Sequence, residues 1–321
     1  STSIIGILPP AASAGVGVVI VLQLMRLAQC FGRGGTWGGG ILMAYENVPE
    51  NKRSFYAAIP QIGLPIGFGL SSILIAVPTL LLPEDIFFTW GWRIPFLAAI
   101  ILTVIVIRQK GEMMETEDYK KAQAKLEAEE AEGKKHKVGF IPMVKGYWKT
   151  LLLGCGTRWV DGTFYNIFIV WILSYCINWL GMPLIQTYII TIIACIFKIP
   201  FTLFGGWCAQ KLGNTRTFVI GALASAVLSI PTLKVIELSK GNLAITIIGI
   251  VLGWSIAYNL IWAVISSLWS SYFETEVRYS GISFVYHVPS FLVAGMVPTI
   301  CTLLINYGKG DTIYVGIYST V

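Results

Sequence analysis

Charged residues are scarce in this chain. Of its 321 residues only 12% are Asp, Glu, Lys or Arg, whereas 55% are hydrophobic. A soluble domain typically carries about 25% charged residues. Several apolar runs also reach the roughly 20 residues that a helix needs to cross a bilayer. The composition therefore excludes an ordinary soluble domain and predicts an all-α integral membrane protein that crosses the bilayer several times.

The sequence also lacks the motifs of common catalytic sites. It contains no zinc-ligand spacing, Walker loop or nucleophile elbow. We therefore predict a protein that is not an enzyme and that needs no metal or cofactor. The six cysteines lie in or beside apolar segments without the paired spacing of extracellular domains, which predicts free thiols. The net charge of +6 is attributed to loop topology and not to nucleic-acid binding.

The apolar segments predict eight complete membrane helices. They lie at about residues 18–46, 54–81, 92–108, 150–178, 183–209, 215–237, 243–271 and 280–306. Shorter apolar pieces at residues 1–9 and from residue 312 onward are interpreted as partial helices. We therefore expect the chain to be a truncated part of a longer protein, and we expect this part alone to be inactive.

A charged segment separates the third predicted span from the fourth. Residues 109–149 mix Lys and Glu and are predicted to form a cytoplasmic linker, with a regulatory docking segment as the alternative. Residues 1–108 are then the remainder of an N-terminal helical half, and residues 150–321 form a C-terminal half. Basic residues are concentrated in the linker and in every second loop, so the positive-inside rule places these loops in the cytoplasm.

The stretch Leu22–Arg53 carries an unusual combination of residues. Arg26 lies within an apolar helix, and six glycines follow between residues 32 and 40. A charge in a lipid-spanning helix is costly and normally faces a partner, a cavity or a substrate path. Closely spaced glycines let helix backbones approach each other. The stretch is therefore interpreted as a helix that lines a polar route.

The same stretch resembles a known transporter motif. Its residues 26–39, R-x-x-Q-C-F-x-x-G-G-T-W-G-G, resemble the R-x-x-Q-G-F-x-x-G-G-E-W-G-G pattern of the metabolite:proton symporters, a branch of the major facilitator superfamily. The resemblance continues through Glu46, Pro49 and Arg53 into the next span. It implies an MFS-type helical bundle in the plasma membrane. This bundle would carry a small polar organic solute, an organic acid or a zwitterion, together with protons by alternating access, as a monomer.

The resemblance implies a proton-coupling role for Arg26. The alternative is an arginine that extends to the membrane interface. Arg33 adds positive charge to the predicted pathway or marks a degenerate protein. Thr36 replaces the glutamate of the motif, and threonine cannot titrate, so coupling would need another acid.

Asp161 is the candidate for that acid. It follows Arg158 by three residues, so both lie on one helix face and can pair. A buried pair of this kind is consistent with a proton relay, a site for a substrate carboxylate or a structural clasp. Tyr165 and Asn166 are predicted to line the pathway on the same helix.

Two further side chains within spans are candidates for the substrate pathway. Lys198 has no acid within one helical turn and is a candidate anion-binding group. His287 is one of only two histidines and is interpreted either as a proton relay or as a packing residue.

Residues at the predicted cytoplasmic ends of the spans are candidates for gating. Gly206–Arg216 resembles a loop motif of the superfamily in which an aspartate is usual and Gln210 stands here. The full set of gating candidates comprises Glu46, Arg53, Gly206, Gln210, Lys211, Gly213 and Arg278.

Two other classes of function are alternatives to transport. Cys30, Thr36 and Gln210 depart from the family pattern, which favours a non-transporting sensor or a relative that has lost coupling. A membrane-embedded enzyme would need a nucleophile, a metal or an acid pair, and the sequence offers none.

Overall fold

The computed structural model describes residues 2–9, 16–33, 36–110 and 140–320, and within these ranges every regular element is helical. The α-helices, in chain order, are α1 (Thr2–Ile5), α2 (Val16–Arg33), α3 (Thr36–Glu46), α4 (Arg53–Ala58), α5 (Gly63–Leu81), α6 (Glu84–Thr89), α7 (Ile94–Lys110), α8 (Phe140–Tyr165), α9 (Ile172–Asn178), α10 (Leu184–Leu212), α11 (Asn214–Leu238), α12 (Leu243–Ile250), α13 (Asn259–Tyr272), α14 (Thr275–Tyr307) and α15 (Ile313–Thr320). Short 3₁₀ segments lie at Glu50–Lys52, Pro60–Ile62 and Gly91–Arg93, and π-helical segments at Asn166–Trp171 and Val251–Ala257.

Within the described ranges, six continuous helical runs are long and apolar enough to cross a membrane. They are Glu50–Leu81, Met143–Asn178, Leu184–Leu212, Asn214–Leu238, Leu243–Tyr272 and Val277–Tyr307. The other two predicted spans correspond to α2 with α3 and to α7, whose apolar stretches are shorter. The all-α membrane architecture is confirmed. Large apolar side chains such as Phe291 (84% exposed) cover the outside of the bundle, where lipid tails would contact them.

The predicted linker is only partly described. Residues 111–139 lie outside the described residues. Helix α8 begins at Phe140 and therefore includes residues that were predicted to belong to the linker. Its backbone departs from helical geometry at Tyr147, so the helix bends before it enters the apolar run. The helix therefore begins ahead of the apolar segment predicted at about residues 150–178.

Two groups of helices pack together, which we call the N-terminal group (residues 2–110) and the C-terminal group (residues 140–320). Helix α5 packs along α10, and α3 packs against α14. Small residues allow this approach: a Cβ atom built on Gly206 would lie 2.7 Å from the Cβ atom of Ala58 in the other group. The space between the groups positions the candidate site.

On the side opposite the linker, an ion cluster ties α11 to the segment before α15. The Lys234 ammonium donates to Asp311 at 2.7 Å and to Glu237 at 3.0 Å. The hydrogen bond from Lys234 holds the pKa of the Asp311 carboxyl below its usual range. The Thr312 amide donates to Glu237 at 2.8 Å. This cluster fixes the start of the last helix.

The two π-helical segments contact each other through a glycine. A Cβ atom on Gly253 would lie only 2.4 Å from the ring of Phe168. We expect Gly253→Ala to destabilise the fold by about 1–3 kcal/mol, because Phe168 is fully enclosed and cannot move away freely. Thermal unfolding in detergent would measure this loss. Gly156→Ala is the matched control, since a Cβ atom there meets nothing within 4 Å; an equal effect of both variants would contradict the packing argument.

Candidate functional site

Three polar side chains meet at mid-membrane depth in the C-terminal group. Asp161, Lys198 and Tyr258 lie near the middles of the runs Met143–Asn178, Leu184–Leu212 and Leu243–Tyr272 respectively. All three are fully buried. Secondary transporters commonly place substrate and coupling-ion sites near the bilayer midplane. The depth and burial of these groups therefore mark this cluster as the candidate site.

Both carboxylate oxygens of Asp161 have partners. The Arg158 guanidinium forms an ion pair with Oδ2, and the Tyr258 hydroxyl donates to Oδ1 at 2.6 Å. Arg158 also donates from Nε to Ser290 Oγ on α14, at 2.9 Å. An unpaired buried charge is very costly, so this arrangement accounts for how the carboxylate is accommodated in the bundle. The predicted i,i+3 pairing of Arg158 and Asp161 is present.

Lys198 is buried in a different manner. Its ammonium lies over the rings of Trp254 and Tyr258, with Nζ 4.5 and 4.4 Å from the two ring centroids. The ammonium donates to the Trp254 carbonyl oxygen at 3.4 Å. Among the described residues, no carboxylate oxygen lies within 4.0 Å of this ammonium. Lys198 thus contacts the face of the same tyrosine whose hydroxyl binds Asp161.

The π-helical segments adjoin this cluster on two helices. One begins at Asn166, shortly after Asp161, and the other contains Trp254 and ends just before Tyr258. Helical π-bulges occur often at functional sites because they shift the register of side chains. Here they set the positions of Trp254 and Tyr258 relative to α10.

A cavity of about 530 Å³ lies between the N-terminal and C-terminal groups. This volume is in the range of small-molecule sites. Its lining includes Trp37, Gln61, Phe68 and Ser71 from the N-terminal group and Trp262 and Tyr286 from the C-terminal group. The guanidinium carbon of Arg158 lies 4.2 Å from the centroid of the Tyr286 ring. Arg158 therefore contacts an aromatic ring that lines the cavity.

Two layers of contact close the space between the groups on the linker side. Nearest the helix ends, Arg278 donates to Glu46 at 2.7 Å. Deeper in the bundle, Trp37 stacks on Tyr286 with ring centroids 4.2 Å apart, and both rings meet Trp269. The two layers are separated by about 12 to 14 Å along α3 and α14, at 1.5 Å per residue. The cavity is thus closed toward the linker.

The outer layer makes a test of this closure possible. We expect Glu46→Gln to open the linker side, because Arg278 then loses its charge partner across the groups. A cysteine placed at Ser283, between the two layers, should react about fivefold faster or more with a membrane-impermeant thiol reagent, as a coupling of 1–3 kcal/mol implies. Glu50→Gln is the matched control, since Glu50 pairs at 3.1 Å with Arg53 within its own segment. Unchanged labelling in Glu46→Gln would contradict the gate.

The other gating candidates lie at the same end of the molecule. The Gln210 side chain accepts from the Phe55 amide at 3.3 Å and donates to the Asn51 carbonyl, so it joins α10 to the start of α4. Lys211 lies over the Trp207 ring, and Gly213 ends α10 with φ of +89°. The Arg53 guanidinium lies 5.3 Å from the centroid of the Tyr45 ring.

The remaining predicted site residues have different surroundings. Arg26 is exposed on α2, and the side chains of Arg33 and Thr36 lie outside the described residues. Tyr165 contacts Phe68 across the groups, with ring centroids 6.1 Å apart. The Asn166 amide donates to the Gly162 carbonyl at 2.8 Å. His287 lies edge-on to Tyr286, at a centroid distance of 5.0 Å.

Sequence reasoning missed several members of the cluster. Trp254, Tyr258, Tyr286 and Ser290 are not among the site residues that the sequence predicts. A signal for two of them was present, since Trp254 and Tyr258 are spaced by four residues in an apolar run and share a helix face. No local sequence pattern connects that face to Asp161, because Tyr258 and Asp161 are 97 residues apart in the chain.

Comparison with known proteins places this geometry in context. A family model described as Major Facilitator Superfamily matches residues 1–298. The chain is 30% identical to the inner membrane metabolite transport protein YhjE of Escherichia coli (strain K12), over 99% of this chain and 71% of that protein. It is 28% identical to the shikimate transporter of the same organism, with the same coverage. It is also 28% identical to the proline/betaine transporter of that strain, over 95% of this chain and 61% of that protein.

Proposed function

This chain belongs to the Major Facilitator Superfamily, and we propose that it carries a small carboxylate-bearing organic solute together with a proton across the plasma membrane. Its relatives are transporters of metabolites, shikimate or proline and betaine, so the chain is a multi-pass membrane transporter and not an enzyme. The proton coupling, the class of solute and a cytoplasmic position for the linker are our proposals.

The buried Arg158–Asp161 pair beside the cavity is the observation that carries this proposal. When a proton binds Asp161, the carboxylate becomes neutral and its hold on Arg158 weakens. Arg158 can then pair with a carboxylate of the solute in the cavity, once the Tyr286 ring moves aside. When Asp161 then loses its proton, its carboxylate pairs with Arg158 again and the solute is released. The carboxylates of Asp161 and of the solute thus compete for one cation, Arg158. Protonation of Asp161 decides this competition and so couples proton movement to solute movement.

The charge balance of the cluster supports an anionic group on the solute. Arg158 supplies a cationic side chain, and Asp161 is the only carboxylate that pairs with it among the described residues. Protonation of Asp161 would leave excess positive charge at mid-membrane, and a solute carboxylate would neutralise it. The aromatic walls formed by Trp37, Phe68 and Trp262 would contact the apolar part of the solute.

Uptake into proteoliposomes tests the proposed function directly. The full-length protein would be offered labelled shikimate, 2-oxoglutarate, proline and glycine betaine, with and without an inward proton gradient. Uptake of a carboxylate-bearing solute that depends on the gradient is expected. Equal uptake with and without the gradient would overturn the proposed proton coupling. If the folded protein takes up none of these solutes, a relative that has lost transport is favoured. The departures from the family pattern at Thr36 and Gln210 are consistent with that alternative.

A further inference from the structure

Lys198 is a buried basic residue to which the mechanism proposed for Arg158 and Asp161 assigns no role. It is 0% exposed, at the middle of α10. Its ammonium contacts two aromatic faces and one carbonyl, with no carboxylate within salt-bridge distance among the described residues. Cation–π contacts offset only part of the cost of removing an ammonium from water. The stability of the fold alone therefore does not account for a lysine here.

The neighbourhood holds Lys198 in place. Its carbonyl oxygen accepts from Thr202 Oγ1 at 2.9 Å and from Asn259 Nδ2 at 2.8 Å. Asn259 follows Tyr258 directly, so these bonds fix α10 against the residue that contacts both Lys198 and Asp161. The buried indole N–H of Trp254, whose ring also contacts the ammonium, has no hydrogen-bond partner among the described residues. Hydrogen bonds thus fix the backbone at Lys198, whereas its ammonium donates one long hydrogen bond, at 3.4 Å, among the described residues.

From this juxtaposition we infer that Lys198 is a positioning residue. It acts as a second cation for Asp161 and stabilises the ionised carboxylate while Arg158 binds the solute. The inference rests on the proposed function. Arg158 cannot pair with Asp161 and a solute carboxylate fully at once. If Asp161 releases its proton before the solute leaves, its negative charge needs another partner. The ammonium lies against the Tyr258 ring, whose hydroxyl is 2.6 Å from Asp161 Oδ1, and a rotamer change along a four-carbon chain can bring it to the carboxylate.

The charged and titratable groups around this position are few. Arg158 and Asp161 lie on α8, Tyr258 immediately precedes α13, and Cys195 lies one turn before Lys198 on α10. Tyr165 is the last residue of α8. None of the others supplies a second cation, so the role falls to Lys198 within the part of the chain that the structure describes.

The test separates proton-driven uptake from solute exchange. Exchange at equal pH and saturating solute does not require Asp161 to lose its proton, whereas driven uptake does. We expect Lys198→Met to lower the maximal rate of driven uptake about tenfold or more, with KM and exchange within about twofold of wild type. Lys198→Arg, which keeps the charge, should restore part of the driven rate. Lys149→Met is the matched control, since Lys149 also lies against a tryptophan ring but is exposed.

Two further measurements keep the inference falsifiable. The melting temperature of Lys198→Met should equal or exceed that of wild type, because methionine fills the space without a buried charge. A lower melting temperature, together with equal losses of exchange and driven uptake, would assign Lys198 a structural role. In an Asp161→Asn background, Lys198→Met should cause no further loss, and additive losses would overturn the inference. If uptake by the wild type does not depend on the proton gradient, the proposed function is wrong. If wild-type uptake depends on the gradient and Lys198→Met has the same driven rate as wild type, only this inference is wrong.

Discussion

The Asp161→Asn variant is expected to lose the ability to concentrate solute. One proton carried with each monovalent anion supports an inside-to-outside ratio of about 100 across a gradient of about two pH units, since each unit is worth about 1.4 kcal/mol. Asparagine retains an oxygen for the Tyr258 hydroxyl, but it cannot take up or release a proton. The ratio should therefore fall to about one. Steady-state accumulation of labelled solute in proteoliposomes measures it.

A matched variant controls for the removal of a carboxylate from the bundle. Glu237→Gln removes an acid that also follows its basic partner by three residues, but at the end of α11 and partly exposed. It should accumulate solute as wild type does. Accumulation that survives Asp161→Asn would keep the transporter and remove Asp161 as the proton site.

The Arg158→Met/Asp161→Asn double variant separates a functional pair from a structural clasp. Arg158→Met alone leaves Asp161 without its ion-pair partner, which typically costs about 3–5 kcal/mol of stability when a buried pair is broken. The neutral double variant removes both charges and should recover most of this stability. We nevertheless expect its KM for a carboxylate-bearing solute to rise about tenfold or more, because the cation that would bind the solute is gone. Thermal unfolding and initial rates of exchange provide the two readouts.

The two interpretations of the pair predict opposite results for this double variant. If the pair is only a clasp, restoring stability should restore exchange with an unchanged KM. The Lys234→Met/Glu237→Gln double variant is the control, since it neutralises another i,i+3 pair, which lies outside the candidate site. Its KM should be that of wild type. A similar loss in both double variants would show that the effect is not specific to Arg158 and Asp161.

The architecture was predictable because it depends on local composition. Long apolar runs in a chain with few charges leave helices as the only economical way to satisfy the backbone in lipid. The resemblance based on Arg26–Gly39 is confirmed at the level of the superfamily. Helix α8 begins at Phe140, ahead of the apolar segment, because hydropathy marks where a helix enters the apolar region and not where the helix itself begins.

The pair in the candidate site was predictable, but its surroundings were not. Arg158 and Asp161 are neighbours on one helix face, so their spacing alone brings them together. Tyr258, Ser290 and Tyr286 come from helices far along the chain, and their positions depend on packing between helices. The π-helical segments also shift the register near Tyr258 in a way that hydropathy does not reveal. Local patterns thus identified the charges, and the tertiary structure identified their partners.

Simultaneous entry of protons and solute tests the central claim most directly. A pH-sensitive dye inside proteoliposomes, with equal pH on both sides at the start, would report proton entry when a carboxylate-bearing solute is added outside. We predict that the wild type acidifies the interior in proportion to solute uptake and that Asp161→Asn takes up or exchanges solute without acidification. Solute uptake by the wild type without proton entry would contradict the account.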